Sequence, residues 1–409
     1  MGRASKVPWR ARLAPGTAVA VSLALVAACG SASGSSSGTS SGPFKIAVPA
    51  DLSGGDAGFA DILTAGIKAA AAYVNAHGGI NGQKIQLTTA NMQSDPTGGV
   101  TVAQNMIANG GYKALVPGAG EYNGIGVNLA ELATRDKILE INVGGDPTMY
   151  EPSKFPYSFS TNTTSTFYAD AFACMVKQAY SPKTVALLHP DDEFSVSEFA
   201  ALGAHGMTVV DDETVTATAS DFTANIQRIK SKKPDVFVAE LLGAQEGQFL
   251  QDLRAVGYSG HLAGGLDVSA VDPATYLPGG NLSLIPADYA VMAPAGAVNI
   301  NGQLTSLQRA LLKSIGTPEG PLSNYAFGWD AIMLVKYAYE HAKSDNVSDL
   351  VDALQSLRGT QDIGTIGVAK PSFSSSNHAY NTFDYYQVNP GKPMLDGTWS
   401  GVRPVSAHC

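Results

Sequence analysis

The chain has 409 residues, with 35 Asp and Glu against 26 Lys and Arg and a formal charge of −9 at pH 7. That balance argues against partners recruited by positive charge, nucleic acid and anionic lipid among them. Only 15% of residues are charged and 44% are apolar, which excludes a disordered polyelectrolyte and predicts globular packing; the length suits two domains rather than one.

Arg3, Lys6, Arg10 and Arg12 precede an uncharged, mostly apolar run over residues 17–28. A cationic start, a short apolar segment and small residues at its end describe a secretory signal. The run is too short for a bilayer span, which takes about 20 residues. Val26-Ala27-Ala28-Cys29 resembles the lipobox of bacterial lipoproteins. That resemblance implies cleavage before Cys29 and lipidation of its thiol, with residues 1–28 as signal peptide; the alternative is a chance cysteine in an ordinary signal. Loss of four basic and no acidic side chains lowers the formal charge to −13. Residues 29–43, dominated by Gly and Ser, read as a flexible tether.

Residues 45–50 form an apolar run ending in Leu52-Ser53-Gly54-Gly55, a strand and then a turn. Over 61–76, Ile62, Leu63, Ile67, Ala70 and Val74 recur at helical spacing, and His77-Gly78-Gly79 supplies a glycine stop. A strand at 84–89, a helix at 97–109, a strand at 114–116, a helix at 123–136 and a strand at 138–143 follow. Residues 157–162, preceded by Pro152 and Pro156 and rich in Ser and Thr, read as a crossover between domains. A second series then runs strand 183–188, helix 198–205, strand 208–213, helix 222–231, strand 236–240, helix 244–255, strand 261–263. A long helix at 325–343 and an aromatic strand at 382–388 stand out beyond it. The alternation predicts α/β architecture with parallel sheets flanked by helices.

Apart from Cys29, the chain holds Cys174 and Cys409, an even pair for an oxidising compartment. They read as a disulfide or as two unrelated thiols.

Val74-Asn75-Ala76-His77-Gly78-Gly79-Ile80-Asn81-Gly82-Gln83-Lys84-Ile85, followed by Gln93-Ser94-Asp95-Pro96, resembles the leucine/isoleucine/valine-binding family of ABC-transporter substrate-binding proteins. Leu253 to Tyr258 and Trp329-Asp330-Ala331 extend the likeness, which covers essentially all of 44–395. The resemblance implies a type I periplasmic-binding fold: two Rossmann-like lobes with parallel sheets, joined by a three-crossover hinge and closing on a small molecule. Lobe one is expected over 44–161 and 295–365, lobe two over 162–294 and 366–409, so that Cys174 and Cys409 share a lobe. The family implies ligand-facing positions at Ser53 and Phe59, at Glu121 and Tyr122, at Gly144, Gly145 and Asp146, and, from lobe two, at Phe194, Leu242 and Asp267. Phe59 and Phe194 read equally as core aromatics.

Amino-acid binders of this family hold the ligand carboxylate with hydroxyls and backbone N–H groups. Here Glu121 and Asp146 stand at or beside the hydroxyl positions. Two like charges at ~4 Å repel by about 4 kcal/mol at an effective dielectric of 20. Neutral amides, polyols and cationic amines therefore join amino acids as expected ligands. The competing reading makes both acids helix caps.

No catalytic residue, cofactor or metal is expected. Gly118-Ala119-Gly120 with Glu140 partly imitates a dinucleotide fingerprint, but the third glycine is out of place. His189, Asp191, Asp192 and Glu193 offer a metal-like cluster that a solvated loop explains as well. The expectation is an exported, lipid-anchored, monomeric solute receptor delivering to ABC permease and ATPase subunits, or a sensor of the same fold acting on a membrane receptor.

Overall fold

The computed structural model describes residues 42–118, 125–190, 193–216, 218–382, 384–406 and 409, with the backbone alone at 193–195. The chain first lays down β1 (Phe44–Ala50), α1 (Ala57–Ala76), β2 (Ile85–Asn91), α2 (Pro96–Gly110), β3 (Ala114–Leu115), α3 (Ile125–Asp136), β4 (Leu139–Asn142) and β5 (Ser158–Ser160). Next come α4 (Ser165–Tyr180), β6 (Thr184–Pro190), α5 (Glu193–Ala204), β7 (Thr208–Val215), α6 (Thr223–Lys232), β8 (Val236–Ala239), α7 (Ala244–Val256) and β9 (His261–Gly264). Two single turns, α8 (Leu266–Ser269) and α9 (Pro273–Tyr276), lead to β10 (Ala290–Pro294) and β11 (Val298–Asn299). The described chain ends with α10 (Ser306–Ile315), α11 (Leu322–Ala342), α12 (Val347–Gln355), β12 (Tyr385–Val388) and β13 (Trp399–Pro404).

Among the described residues these strands form two sheets. The first is all parallel, in the order β2-β1-β3-β4-β5. The second runs β11-β13-β12-β10-β9-β8-β6-β7. Its segment β7-β6-β8-β9-β10 is parallel and repeats the order of the first sheet, while β12 joins β10 and β13 antiparallel. The fold is thus the expected pair of Rossmann-like halves. In each, the strand order reverses between the first and third strands, and open α/β sheets bind ligands beyond the carboxyl ends of the strands at such a reversal.

The residues most legible as a signature set the first reversal. Asn75 accepts from the Ile85 N–H at 2.7 Å and donates to the Ile85 carbonyl at 3.0 Å, clamping the start of β2 to the end of α1. Between them Ile80 pairs with Gln83 across Asn81-Gly82, both at positive φ, a tight hairpin turn. Gly79 is obligatory, since a Cβ there would lie 2.0 Å from the Gln83 carbonyl oxygen. Asp95 caps α2 by accepting from Thr97 N–H, with Pro96 in the first turn.

The core of the first half packs Ile46 and Val48 of β1 and Leu63 and Ile67 of α1 against Trp329, Ile332 and Leu334 of α11. α11 is apolar nearly all round because it is buried nearly all round. In the second half Phe222, Phe237, Phe249 and Trp399 fill one face of the sheet, and Phe172, Val176, Leu187 and Val238 the other. Covered on both faces, its strands carry the apolar runs typical of parallel sheets.

Three stretches differ from expectation. Ser158–Ser160, read as crossover, is a buried edge strand whose hydroxyls serve internal acceptors: Ser158 donates to Glu140 at 2.5 Å and Ser160 to the Gly144 carbonyl at 2.7 Å. α5 begins at Glu193, so Phe194 lies in a first helical turn rather than a loop. The second sheet reaches Asn299, past the expected boundary at 294/295, because Val298 and Asn299 pair with Trp399 and Ser400.

Candidate functional site

At the carboxyl edge of the first sheet, the chain leaves β1 through Asp51, Leu52 and Ser53. Asp51 is buried and accepts from the Ser94 N–H at 2.7 Å. Burial lifts its carboxyl above the usual range, while the Ser94 N–H pulls it back. Ser53 is exposed, and its hydroxyl accepts from Asn91 at 2.8 Å. Ser94 in turn accepts from the Asp56 N–H at 3.1 Å. The loop over 52–58 is therefore stitched to the turn before α2. Phe59 is half-buried in the first turn of α1 and packs on the first core, so part of its ring serves packing.

Gly118 pairs with Ala50 beside this loop. A Cβ there would meet the Thr64 hydroxyl at 2.7 Å and the Ala50 methyl at 2.8 Å, so only glycine admits this approach. Glu121 and Tyr122 lie outside the described residues. Beyond β4, Gly144 and Gly145 are buried. The Gly145 carbonyl accepts from the Ser165 N–H at 3.0 Å, which ties this loop to the start of α4. Asp146 accepts from both the N–H and the hydroxyl of Thr148, each at 2.8 Å, and caps the single 3₁₀ turn Pro147–Tyr150. This geometry is that of the cap, the second role open to Asp146 in the sequence.

The corresponding edge of the second sheet is acidic and buried. Glu240 follows β8 directly and is 2% exposed; it accepts from the Gly265 N–H. Glu198 of α5 and Tyr168 of α4 reach the same point. A Cβ on Gly265 would lie 2.7 Å from a carboxylate oxygen of each Glu and 3.0 Å from the Tyr168 hydroxyl. Asp267 stands two residues on, half-buried. Burial, then the charges of Glu198 and Asp267, pushes the Glu240 carboxyl well above its ordinary range. Tyr168 is raised by the same burial and the same two glutamates. Leu242 is 49% exposed just beyond Glu240. The Phe194 side chain is outside the described residues.

The structure thus gathers Ser53 and Gly118 at one reversal and Leu242 and Asp267 at the other, and adds two acids the sequence reading missed. Glu240 had a signal, an ionisable residue closing the apolar run Val236–Ala239. Glu198, in mid-helix, had none.

Beside the first core, Asp330 of α11 is fully buried and accepts from the N–H groups of Ile366 (2.6 Å) and Gly367 (3.0 Å) and from the Tyr380 hydroxyl (3.3 Å). Burial pushes its carboxyl up to about 7 against these bonds. Trp329 donates to the Gly364 carbonyl at 2.9 Å. Gly296 and Gly367 cross closely: a Cβ on Gly296 would meet the Gly367 Cα at 2.8 Å. The Trp329-Asp330 pair therefore pins 364–367 beside residue 296. The bond between the Thr163 and Tyr385 hydroxyls, 2.5 Å, fixes the start of β12 to the segment leaving β5.

The family model for periplasmic binding proteins matches residues 43–393. The chain belongs to that family. The Leu/Ile/Val-binding protein homolog 3 of Brucella melitensis is 26% identical over 228 residues, 55% of this chain and 61% of that protein. The Leu/Ile/Val-binding protein of Escherichia coli K12 is 25% identical over 218 residues, 52% and 58% of the two chains. The chain thus spans about three-fifths of the length of these relatives. Among solved structures, the branched-chain amino acid transporter substrate-binding protein LivJ of Streptococcus pneumoniae, in complex with isoleucine, superposes with a TM-score of 0.69 at 19% identity, over 88% of this chain and 100% of that one. A solute-binding protein of an ABC transporter from Rhodopseudomonas palustris BisB5, in complex with 3,4-dihydroxy benzoic acid, gives 0.64 at 20% identity, over 87% and 95%. The resemblance drawn from Asn75–Ile85 and Ser94–Pro96 is borne out, and the family is one of solute binders rather than enzymes. Fold alone leaves the ligand open, since these two neighbours hold chemically unlike molecules.

The geometry also bears on the weaker motifs. Glu140 is fully buried in β4, bonded to Ser158 and to Asn142 (3.4 Å), and no ribose can reach it. Its carboxyl is pushed up to about 7 by burial. Of the cluster at 189–193, only the His189 side chain is described; its two ring nitrogens lie 2.6 Å from the Pro190 carbonyl and 2.9 Å from Asp212.

Proposed function

We propose that this chain is an extracytoplasmic, lipid-anchored solute receptor that captures a small polar molecule between two closing lobes and delivers it to the permease of an ABC importer. The captured class is an amino acid, branched-chain ones included, or an amide. The lobes are taken as 44–161 with about 300–380 and 162–299 with about 381–409, in keeping with Val298–Asn299 pairing in the second sheet and Phe373 and Tyr380 packing in the first core, tethered through Cys29 by residues 29–43. The chain itself performs no chemistry; ATP hydrolysis belongs to a partner.

One observation carries this reading: two parallel half-sheets of matching strand order each present a reversal point at their carboxyl edge, on a family fold built for solute capture. The buried acids Glu240 and Glu198, with Asp267 alongside, favour a ligand with an ammonium or amide N–H on the second-lobe side, because a cation offsets their mutual repulsion. Contacts from both lobes exist only in the closed form, so ligand selects closure.

A thermal-shift screen against branched-chain and cationic amino acids, amides, polyols and polyamines tests it. Ligand at ~100 times Kd adds about 2.7 kcal/mol of stability. A shift with an amino acid or amide is expected; shifts confined to polyols, or none across the panel, would overturn the ligand class.

A further inference from the structure

Cys174 and Cys409 are joined in the structure, with Cα atoms 5.4 Å apart and 235 residues between them in sequence. A third group faces this pair. His205, just past the end of α5, places Nδ1 3.3 Å from the Cys409 sulfur, while its Nε2 lies 3.3 Å from a carboxylate oxygen of Asp170. Asp170 and Cys174 sit one turn apart on α4. An Nε2–H donated to Asp170 leaves the Nδ1 lone pair directed at sulfur.

We propose that on reduction the two sulfurs and His205 Nδ1 form a three-ligand site for a thiolate-seeking cation of the zinc(II) class, with Asp170 as the group that orients the imidazole. The three ligand atoms already lie within 4.8 Å of one another. With metal–sulfur and metal–nitrogen bonds of ~2.3 and ~2.0 Å, tetrahedral geometry separates N and S by roughly 3.5 Å and the two sulfurs by roughly 3.8 Å. The nitrogen is nearly in place, and the sulfurs need only part by rotation about their Cα–Cβ bonds. A carboxylate on the far nitrogen of a ligating histidine is the usual outer-shell arrangement, fixing tautomer and ring orientation.

The site also survives loss of the bridge. The last strand is held to α4 and β12 by bonds that do not involve sulfur: Arg403 donates to the Gln178 carbonyl at 2.6 Å, Gln178 to the Pro404 carbonyl at 3.0 Å, Ser406 N–H to Gln178 at 3.0 Å, and Val405 N–H to the Tyr385 carbonyl at 2.8 Å. Lys177 donates to the Cys409 carbonyl at 2.5 Å and brings a positive charge that favours thiolate. Cys409 is exposed and Cys174 buried, so an incoming thiolate attacks Cys409 and expels the Cys174 thiolate. Two small-molecule thiols are consumed and leave as their disulfide; the protein gains two thiols, whose protons are released as the metal binds. Disulfide and metal are mutually exclusive states of one clasp.

The test uses the full-length chain carrying Cys29→Ser, stripped of metal, reduced with a phosphine and titrated with cobalt(II) anaerobically. One cobalt per chain with thiolate charge-transfer and tetrahedral ligand-field bands is expected, absent from the oxidised protein and removed by zinc. His205→Ala should abolish the tetrahedral spectrum, and Asp170→Asn should weaken binding by about 10–100-fold. Circular dichroism reports the fold in parallel. No bands in folded reduced protein, unchanged affinity in His205→Ala, or loss of fold on reduction would each overturn the proposal.

Discussion

Gly328→Ala should unfold this protein far more readily than its chemistry suggests. α1 and α11 cross with almost no side chain between them. A Cβ on Gly328 would lie 2.2 Å from the Leu63 carbonyl oxygen and 2.8 Å from the Ile67 nitrogen; a Cβ on Gly66 would lie 2.0 Å from the Tyr325 carbonyl oxygen. All three opposing atoms are backbone, so no rotamer change relieves the clash. The helices must separate by roughly 1 Å, a gap that forfeits a quarter to a half of each dispersion contact along the seam. That seam holds Leu63, Ile67, Ala326, Trp329 and Ile332. Overpacking costs about 1–3 kcal/mol where side chains can adjust, and here they cannot. A backbone clash takes the cost above that range, to about 3–5 kcal/mol; alanine's better helix propensity returns about 1 kcal/mol, so a net loss of about 2–4 kcal/mol is expected.

The same substitution at Gly203 provides the control. Gly203 lies in α5, exposed, with nothing within 4 Å of where its Cβ would sit. There alanine should be neutral or stabilising by up to about 1 kcal/mol. Guanidinium unfolding followed by tryptophan fluorescence separates the two, because Trp329 lies in the perturbed seam. A Gly328→Ala midpoint equal to wild type, or equal to Gly203→Ala, would refute the reasoning.

Four further outcomes follow from named groups. Burial raises Glu140 and Asp330 to about 7 and Glu246 to about 8. The folded state holds protons that the unfolded chain releases above its ordinary carboxyl pKa, so stability should fall as pH rises from about 5 to 8. His378, lowered by burial to about 4, works oppositely, its contribution being lost as pH falls from 6.5 towards 4, but three carboxyls outweigh one imidazole, so melting temperatures should fall from about pH 5 to 8, and a flat profile across that range would count against the buried carboxyls. Opening the Cys174–Cys409 bridge frees a 235-residue loop, for which the chain-entropy model gives about 5 kcal/mol of lost stability, readable as a denaturation midpoint with and without reductant. Asp146→Ala should cost about 1 kcal/mol through the lost cap while Asp146→Asn is nearly neutral, and calorimetric ligand affinity should not change in either. Glu240→Gln keeps the shape and removes the capacity to ionise against a bound cation, and should weaken an ammonium-bearing ligand by at least about 10-fold in the same calorimeter; unchanged affinity would remove the second-lobe acids from the site.

The fold was legible because its periodicities are local. Helix 57–76 and strand 44–50 show their pattern within a single turn or pleat, and Asn75, Gly79 and Asn81-Gly82 declare a turn whose geometry admits few other residues. What failed was composition taken as a proxy for exposure. The Ser-rich stretch at 158–160 looks like a linker until Glu140 and the Gly144 carbonyl are seen to absorb its hydroxyls. The buried acids and the Cys-His cluster were illegible for another reason. Glu198, Glu240 and Gly265 come from separate stretches of the chain, as do Cys174, His205 and Cys409, so no spacing within either set links its members.

The motif that identifies the family is thus not the motif that chooses the ligand. Residues 75–85 clamp the end of α1 to the start of β2, at the amino edge of the sheet, while Asp95 and Pro96 open α2 and Ser94 braces the loop after β1. Solved neighbours of this fold hold isoleucine and a dihydroxybenzoic acid alike. On the proposed reading, specificity falls instead to residues just past the strand ends, where a substitution alters charge without moving the sheet. Glu240 is such a position: it caps a fully apolar strand, rests on one backbone N–H, and meets a second carboxylate only because residue 265 has no side chain. On the same reading the second reversal offers carboxylates, so a ligand with N–H donors gains from closure on that side, whereas a polyol brings no charge to offset their repulsion.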